Sequence, residues 1–145
     1  VASRPEVDET RIGCGGLSLG GEMAMWLGAM DTRIAATVSS GFLTKMENLR
    51  KGHCMCWDFP GLQERYDFAD IYSLISPRAL QCQNGAKERL PGGFPVDLAR
   101  ETMAEIKRAY GAAGRESSAR LAIHPGGHVF DVTAGVEFLD EALGP

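Results

Sequence analysis

The stretch Arg11-Ile12-Gly13-Cys14-Gly15-Gly16-Leu17-Ser18-Leu19-Gly20-Gly21 sets a G-x-S-x-G motif, Gly16 to Gly20, between two apolar runs. Arg11 to Gly15 reads as a short buried strand bounded by glycine. Leu19 to Met30 reads as a helix with Met, Trp and Leu on nearly every side, as in a helix buried against a sheet. A serine at such a strand-to-helix turn takes a strained backbone conformation that lifts Oγ above the carboxyl end of the strand, and Gly16, Gly20 and Gly21 would let the chain pass without clashes. The competing role for Ser18 is a helix cap. A capping box would want Glu or Gln three residues on, where Gly21 stands and Glu22 comes one place late. Two glycines in a first helical turn also cost about 1 kcal/mol each relative to Ala, a cost that close approach explains and capping does not.

Strands and helices alternate along the rest of the chain. Ile34 to Ser39 is a second strand, Arg78 to Gln83 a third and Ala119 to Ile123 a fourth. Asp70 to Ile75 is a short helical turn stopped by Ser76-Pro77. Pro95 to Tyr110 spaces Ala99, Thr102, Met103, Ile106 and Tyr110 by three and four, with Pro95 and Gly111 as punctuation. Val132, Val136, Leu139 and Leu143 space a closing helix. Gly41 to Asp67 has no clean period and is too long for a plain connection, so it is expected to be a cap-like excursion. The expected class is α/β, with parallel strands and right-handed crossover helices in one partial domain over 1–145.

A serine hydroxyl needs a base in hydrogen-bond reach and a third group to orient that base. His128, in the Gly-rich loop His124-Pro125-Gly126-Gly127-His128 past the fourth strand, would reach the same carboxyl-end face as Ser18. His124 ends the strand and suits a structural role. His53 lies beside Cys54 and Cys56, without enough further ligands for a metal site, so no metal is expected. For the acid, Glu88 is the only carboxylate in the loop after the third strand before Asp97, with a solvated surface role as its alternative; Asp58, Asp67 and Asp70 are weaker substitutes. The chain order is then Ser, acid, His.

Composition narrows the partners. With 145 residues, 44% apolar and 23% charged, the chain supports one core. Its longest apolar stretch, Met23 to Met30, falls far short of the roughly 18 to 20 residues that span a bilayer, and no basic-then-apolar leader pattern opens it. A net charge of −4 and no basic run beyond Arg50-Lys51 argue against nucleic acid. Cys14, Cys54, Cys56 and Cys82 match neither a zinc knuckle nor a secreted scaffold, which reads as a reducing, cytoplasmic setting. Eighteen glycines, against a usual ~7% of residues, imply many tight turns. The start at Val1 rather than Met suggests a processed or cut chain.

Together these residues resemble the C-terminal half of an α/β-hydrolase, and are similar to its acetyl-xylan-esterase-like and dienelactone-hydrolase-like branch. The resemblance is carried by Arg11 to Gly21, Asp31-Thr32-Arg33-Ile34-Ala35-Ala36, His53-Cys54-Met55-Cys56-Trp57 with Pro60-Gly61, Ile75-Ser76-Pro77-Arg78, Gly85 to Glu88 and Gly126-Gly127-His128. It implies Ser18 as nucleophile, His128 as base and Glu88 where the family more often has Asp. It also implies Leu19 N–H as one oxyanion donor, and chemistry that needs no cofactor. Serine at the position where dienelactone hydrolases carry Cys points to esters. Trp57, with Phe59 and Tyr66, is a candidate wall for an acyl or sugar pocket, with plain packing as the equal alternative.

The elbow strand is the first that the sequence shows, whereas such hydrolases carry strands before it. The preceding half, with its second oxyanion amide, is therefore the expected partner, as a second chain or a removed segment. Without it the first strand would be a bare edge and the Leu19 to Met30 helix incompletely covered. Two other readings stand beside a serine ester hydrolase acting on acetyl or short-acyl esters, small or carbohydrate. One is a prolyl-oligopeptidase-like peptidase with the same elbow and chain order. The other is a non-catalytic half-domain that docks on a partner chain.

Overall fold

The structure, a computed structural model, describes residues 2–89 and 91–144. Val1, Leu90 and Pro145 lie outside the described residues. Four strands, β1 (Ile12–Leu17), β2 (Ile34–Ser40), β3 (Ala79–Gly85) and β4 (Ala119–His124), pair in parallel in the order β1-β2-β3-β4. Between them run α1 (Leu19–Met30), the short α2 (Met46–Leu49) and α3 (Phe68–Ser73), and α4 (Val96–Ala112); α5 (Val132–Leu143) closes the chain. β1 runs two residues further than the sequence suggested, because its ladder with β2 continues to the pair Leu17 and Ser40 and leads straight into the elbow.

Alternation along β2 and β3 divides the core. Leu80 and Cys82 face α1, α3 and α4, joining Met25, Phe68, Tyr72, Ile106 and Tyr110 in the main cluster. Ala36 and Val38 face α5 and pack with Phe138. The polar residues on that second face of β3 are spoken for. Gln83 Nε2 donates to the Asp131 carbonyl at 3.0 Å, Gln83 Oε1 accepts from Asp131 N at 3.1 Å, and Gln81 Nε2 donates to the Ala134 carbonyl at 3.2 Å. Two buried glutamines thus fix the start of α5, just beyond His128.

Segment 41–67 is less detached than its irregular sequence suggested. Phe42, Leu43, Met46, Leu49, Trp57 and Leu62 are buried in the main cluster, leaving Met55, Phe59 and Tyr66 exposed. Gly111 does not end its helix. α4 continues to Ala112, and Gly114 at φ +68° makes the turn while Arg115 N–H returns to the Tyr110 carbonyl at 2.9 Å.

Among the described residues β1 has a strand on one side only. α1 exposes Leu19, Met23, Leu27 and Met30, spaced by four, four and three along one stripe. The unbroken apolar pattern of α1 is thus half used: one side packs on the sheet through Met25 and Gly28, and the other is bare.

Candidate active site

Ser18 has φ 59° and ψ −119°, the only positive φ outside glycine among the described residues. Such a conformation is costly for a non-glycine residue and persists only where its surroundings hold it. Its N–H donates to the Ser40 carbonyl at 2.9 Å and its carbonyl accepts from Glu22 N at 2.9 Å, so both neighbours of the turn fix it. The side chain forms no capping hydrogen bond, which disposes of the cap role. The flanking glycines divide into two kinds. A Cβ on Gly16 would lie 2.3 Å from the Gly20 carbonyl oxygen, and one on Gly21 2.5 Å from the Ser40 carbonyl oxygen. A Cβ on Gly20 meets nothing within 4 Å, so the turn does not require glycine there.

Glu88 and His128 are in direct contact, Nδ1 to Oε1 at 2.6 Å. The extra methylene of Glu over Asp therefore closes the distance to the ring. Glu88 is nearly buried, with 7% of its side chain exposed, and Phe94 N–H reaches its Oε2 at 3.4 Å. The exposed-surface role for Glu88 thus fails on burial as well as on contact. Backbone bonds tie the acid loop to the histidine loop: Ala86 N–H to the His124 carbonyl at 2.8 Å and Lys87 N–H to the Gly126 carbonyl at 2.9 Å. The imidazole, 39% exposed, lies over Gly41, where an added Cβ would meet its Cε1 at 2.9 Å and Leu17 Cδ1 at 3.1 Å. The turns after all four strands therefore converge at one sheet end: Ser18 after β1, Gly41 after β2, Glu88 after β3 and His128 after β4. Ser18 Oγ makes no hydrogen bond among the described residues. Such bonds are often long before substrate binds. Leu19 is the first residue of α1, so its N–H has no acceptor one turn back and stands beside Ser18.

Phe94 is a neighbour of the candidate site that the sequence did not single out. Its ring stacks on His128 with centroids 5.5 Å apart and planes 19° from parallel. Buried Asn84, at the end of β3, holds the Phe94 carbonyl through Nδ2 at 2.9 Å. The available signal was an aromatic residue between Gly93 and Pro95 in the loop that follows the acid.

The remaining candidates take other places. Asp67 caps α3, accepting from Phe68 N at 2.7 Å and Met46 N at 2.9 Å, while Asp70 accepts from Asp67 N at 2.8 Å. Asp58 lines a shallow groove with Arg50 and Glu64. His124 is buried, with Nδ1 accepting from Gly126 N at 3.2 Å. His53 has no ligand cluster around it, and no group of three metal-ligating side chains occurs among the described residues.

Trp57 is corrected. It is 2% exposed and packs edge-on against Phe68 with centroids 5.3 Å apart, because the excursion folds its apolar side into the core instead of over the elbow. Its Nε1 has no partner among the described residues. Trp57→Ala is expected to cost about 3–5 kcal/mol in equilibrium denaturation, and Trp57→Phe far less, since no hydrogen bond is lost. A Trp57→Phe variant of unchanged stability but much higher KM would return Trp57 to the substrate wall.

Glu22, one turn beyond Ser18, is a buried carboxyl apart from the Glu88–His128 pair. Burial raises its pKa above the ordinary value, opposed by the Trp26 indole and His53. The folded state therefore holds this proton more tightly than the unfolded chain, and stability falls as pH rises from about 4.3 through the raised value. Glu22→Gln is expected to remove that fall and to raise the melting temperature at neutral pH. Thermal unfolding from pH 4 to 8 checks it.

No family model matches the sequence. The chain is 33% identical over 119 residues to YtaP of Bacillus subtilis (strain 168), a provisionally named hydrolase. That alignment takes in 78% of this chain and 40% of YtaP. Among solved structures, a carbohydrate esterase family 15 glucuronoyl esterase from Caldicellulosiruptor kristjansonii superposes with a TM-score of 0.78 at 19% identity, covering 97% of this chain and 45% of that one. The glucuronoyl esterase catalytic domain from Hypocrea jecorina gives 0.74 at 18% identity, covering 94% and 45%. Methylesterase BT1017 gives 0.73 at 21% identity, covering 97% and 31%. The chain thus spans less than half the length of each of these proteins. At these identities the structural likeness speaks for the fold alone, and nearly all of this chain matches part of an α/β-hydrolase fold.

Proposed function

We propose that this chain carries the nucleophile, base and orienting acid of a serine ester hydrolase acting on acetyl or short-acyl esters, small or carbohydrate. The observation that carries the reading is the pairing of a strained, uncapped Ser18 with a 2.6 Å Glu88–His128 contact at the same end of the sheet. Ser18 Oγ attacks the ester carbonyl as His128 Nε2 takes its proton, and the tetrahedral oxyanion turns toward Leu19 N–H. His128 then gives the proton to the departing alcohol, and water, activated by the same imidazole, releases the acid. Glu88 holds Nδ1–H, so that Nε2 is the basic nitrogen, and stabilises the imidazolium without itself taking the proton. The esterase names of the structural neighbours favour an ester over an amide.

The bare β1 edge and the exposed stripe of α1 favour a further half, as a separate chain or a preceding segment, that covers them and supplies a second oxyanion donor. Loss of one such donor costs about 10²- to 10³-fold in rate. Paired p-nitrophenyl acetate and peptidyl p-nitroanilide assays on the assembled protein test the reading. Hydrolysis of the ester alone is expected. Comparable kcat/KM on the anilide would favour the peptidase, and no turnover of either would favour a half-domain that only docks.

A further inference from the structure

We propose that Cys54 and Cys56 form a reversible redox pair, which a low-molecular-weight disulfide oxidises to an intrachain disulfide across Met55. The two Sγ atoms are 2.6 Å apart, and both residues are exposed, so an oxidant can reach them. The chain turns at the pair: Asp58 N–H bonds the Met55 carbonyl at 3.1 Å, and His53 Nδ1 lies 3.1 Å from the Cys54 carbonyl. Neither of the other cysteines has such a neighbour. Cys82 is fully buried in the core, and Cys14 is half-buried against the Ala24 carbonyl and Thr37 Oγ1. Burial pushes both of those thiols up, whereas contact with the Cys56 thiol draws the Cys54 thiol down. An exposed thiol with an acidic bias and a second thiol in contact is the arrangement that thiol–disulfide exchange uses.

The exchange balances in two displacements. Cys54 thiolate attacks one sulfur of glutathione disulfide, forming a mixed disulfide and releasing one glutathione thiolate, which takes up a proton. Cys56, deprotonated in turn, attacks Cys54 Sγ and expels the second glutathione. The protein loses two hydrogens, and one disulfide becomes two thiols. A bridge over a single intervening residue removes little chain entropy, and it stays exposed, so excess glutathione should reopen it. The pair is close to the candidate catalytic face, since the His53 ring meets Phe94 edge-on with centroids 5.5 Å apart and Phe94 stacks on His128. The proposal rests on the thiols alone, independently of the hydrolase reading.

Intact-mass and peptide mapping after exposure to glutathione disulfide and then iodoacetamide test it. The expected result is joint loss of alkylation at Cys54 and Cys56, a mass lower by two hydrogens and no retained glutathione. Cys14 and Cys82 should be unchanged, and reduced glutathione should restore both reactive sites. Cys56→Ser should instead trap a glutathione adduct on Cys54. Stable adducts on either cysteine of the unaltered protein, or full alkylation of both after exposure with no trapped adduct in Cys56→Ser, would overturn the proposal.

Discussion

Ser18→Ala is expected to lower ester turnover by about 10⁴- to 10⁶-fold while leaving the fold intact, and His128→Ala by a similar factor. The two losses should not add. Each removes one member of a unit that moves a single proton, so the double variant should be about as slow as either single one. Stability should barely change for Ser18→Ala, since Ser18 Oγ makes no hydrogen bond among the described residues; the strain at φ 59° lies in the backbone and remains. Steady-state kinetics with a parallel denaturation curve read both quantities. A Ser18→Ala enzyme within tenfold of the unaltered rate would remove the nucleophile from this account.

Gly85→Ala should do comparable damage without touching a reacting atom. The new methyl would lie 2.1 Å from the Gly127 carbonyl oxygen and 2.6 Å from that of Gly126, both backbone atoms that can yield only by moving the histidine loop. That loop is bonded to Ala86 and Lys87, so the methyl acts as a wedge between the acid and the base. Displacement of about 1 Å in a catalytic group can cost 10²-fold, and loss of the orienting contact about 10⁴-fold. A rate loss between those values is expected, with about 1–3 kcal/mol of lost stability from overpacking. Gly20→Ala is the matched control, as its Cβ enters open space and should leave both quantities nearly unchanged. Full activity in Gly85→Ala would mean that the two loops are not held together as described.

The legible parts of the fold were those in which local pattern and tertiary demand agree. α1 runs from Leu19 to Met30, as its all-round apolar residues implied, and α4 shows its buried stripe of Ala99, Thr102, Met103, Ile106 and Tyr110. The elbow was readable because two of its glycines answer a steric demand that no other residue meets. Gly20 looked alike in sequence, but only the packing separates it from Gly16 and Gly21. The contact between Glu88 and His128 followed from chain order and loop position, whereas the stacking of Phe94 on the imidazole did not. That ring is brought back by a loop whose course is set by Asn84, a buried amide with no local signature. Trp57 was misplaced for the same reason: periodicity gives no direction to an irregular segment, so its aromatic residues could not be sorted into buried Trp57 and exposed Phe59 and Tyr66.

The central claim is that the Ser18 hydroxyl is a nucleophile made reactive by His128. A fluorophosphonate probe followed by peptide mass mapping of the assembled protein tests this most directly. A single adduct on Ser18 is expected, lost in Ser18→Ala and in His128→Ala. An unlabelled protein, or an adduct that survives removal of His128 at an undiminished rate, would contradict it.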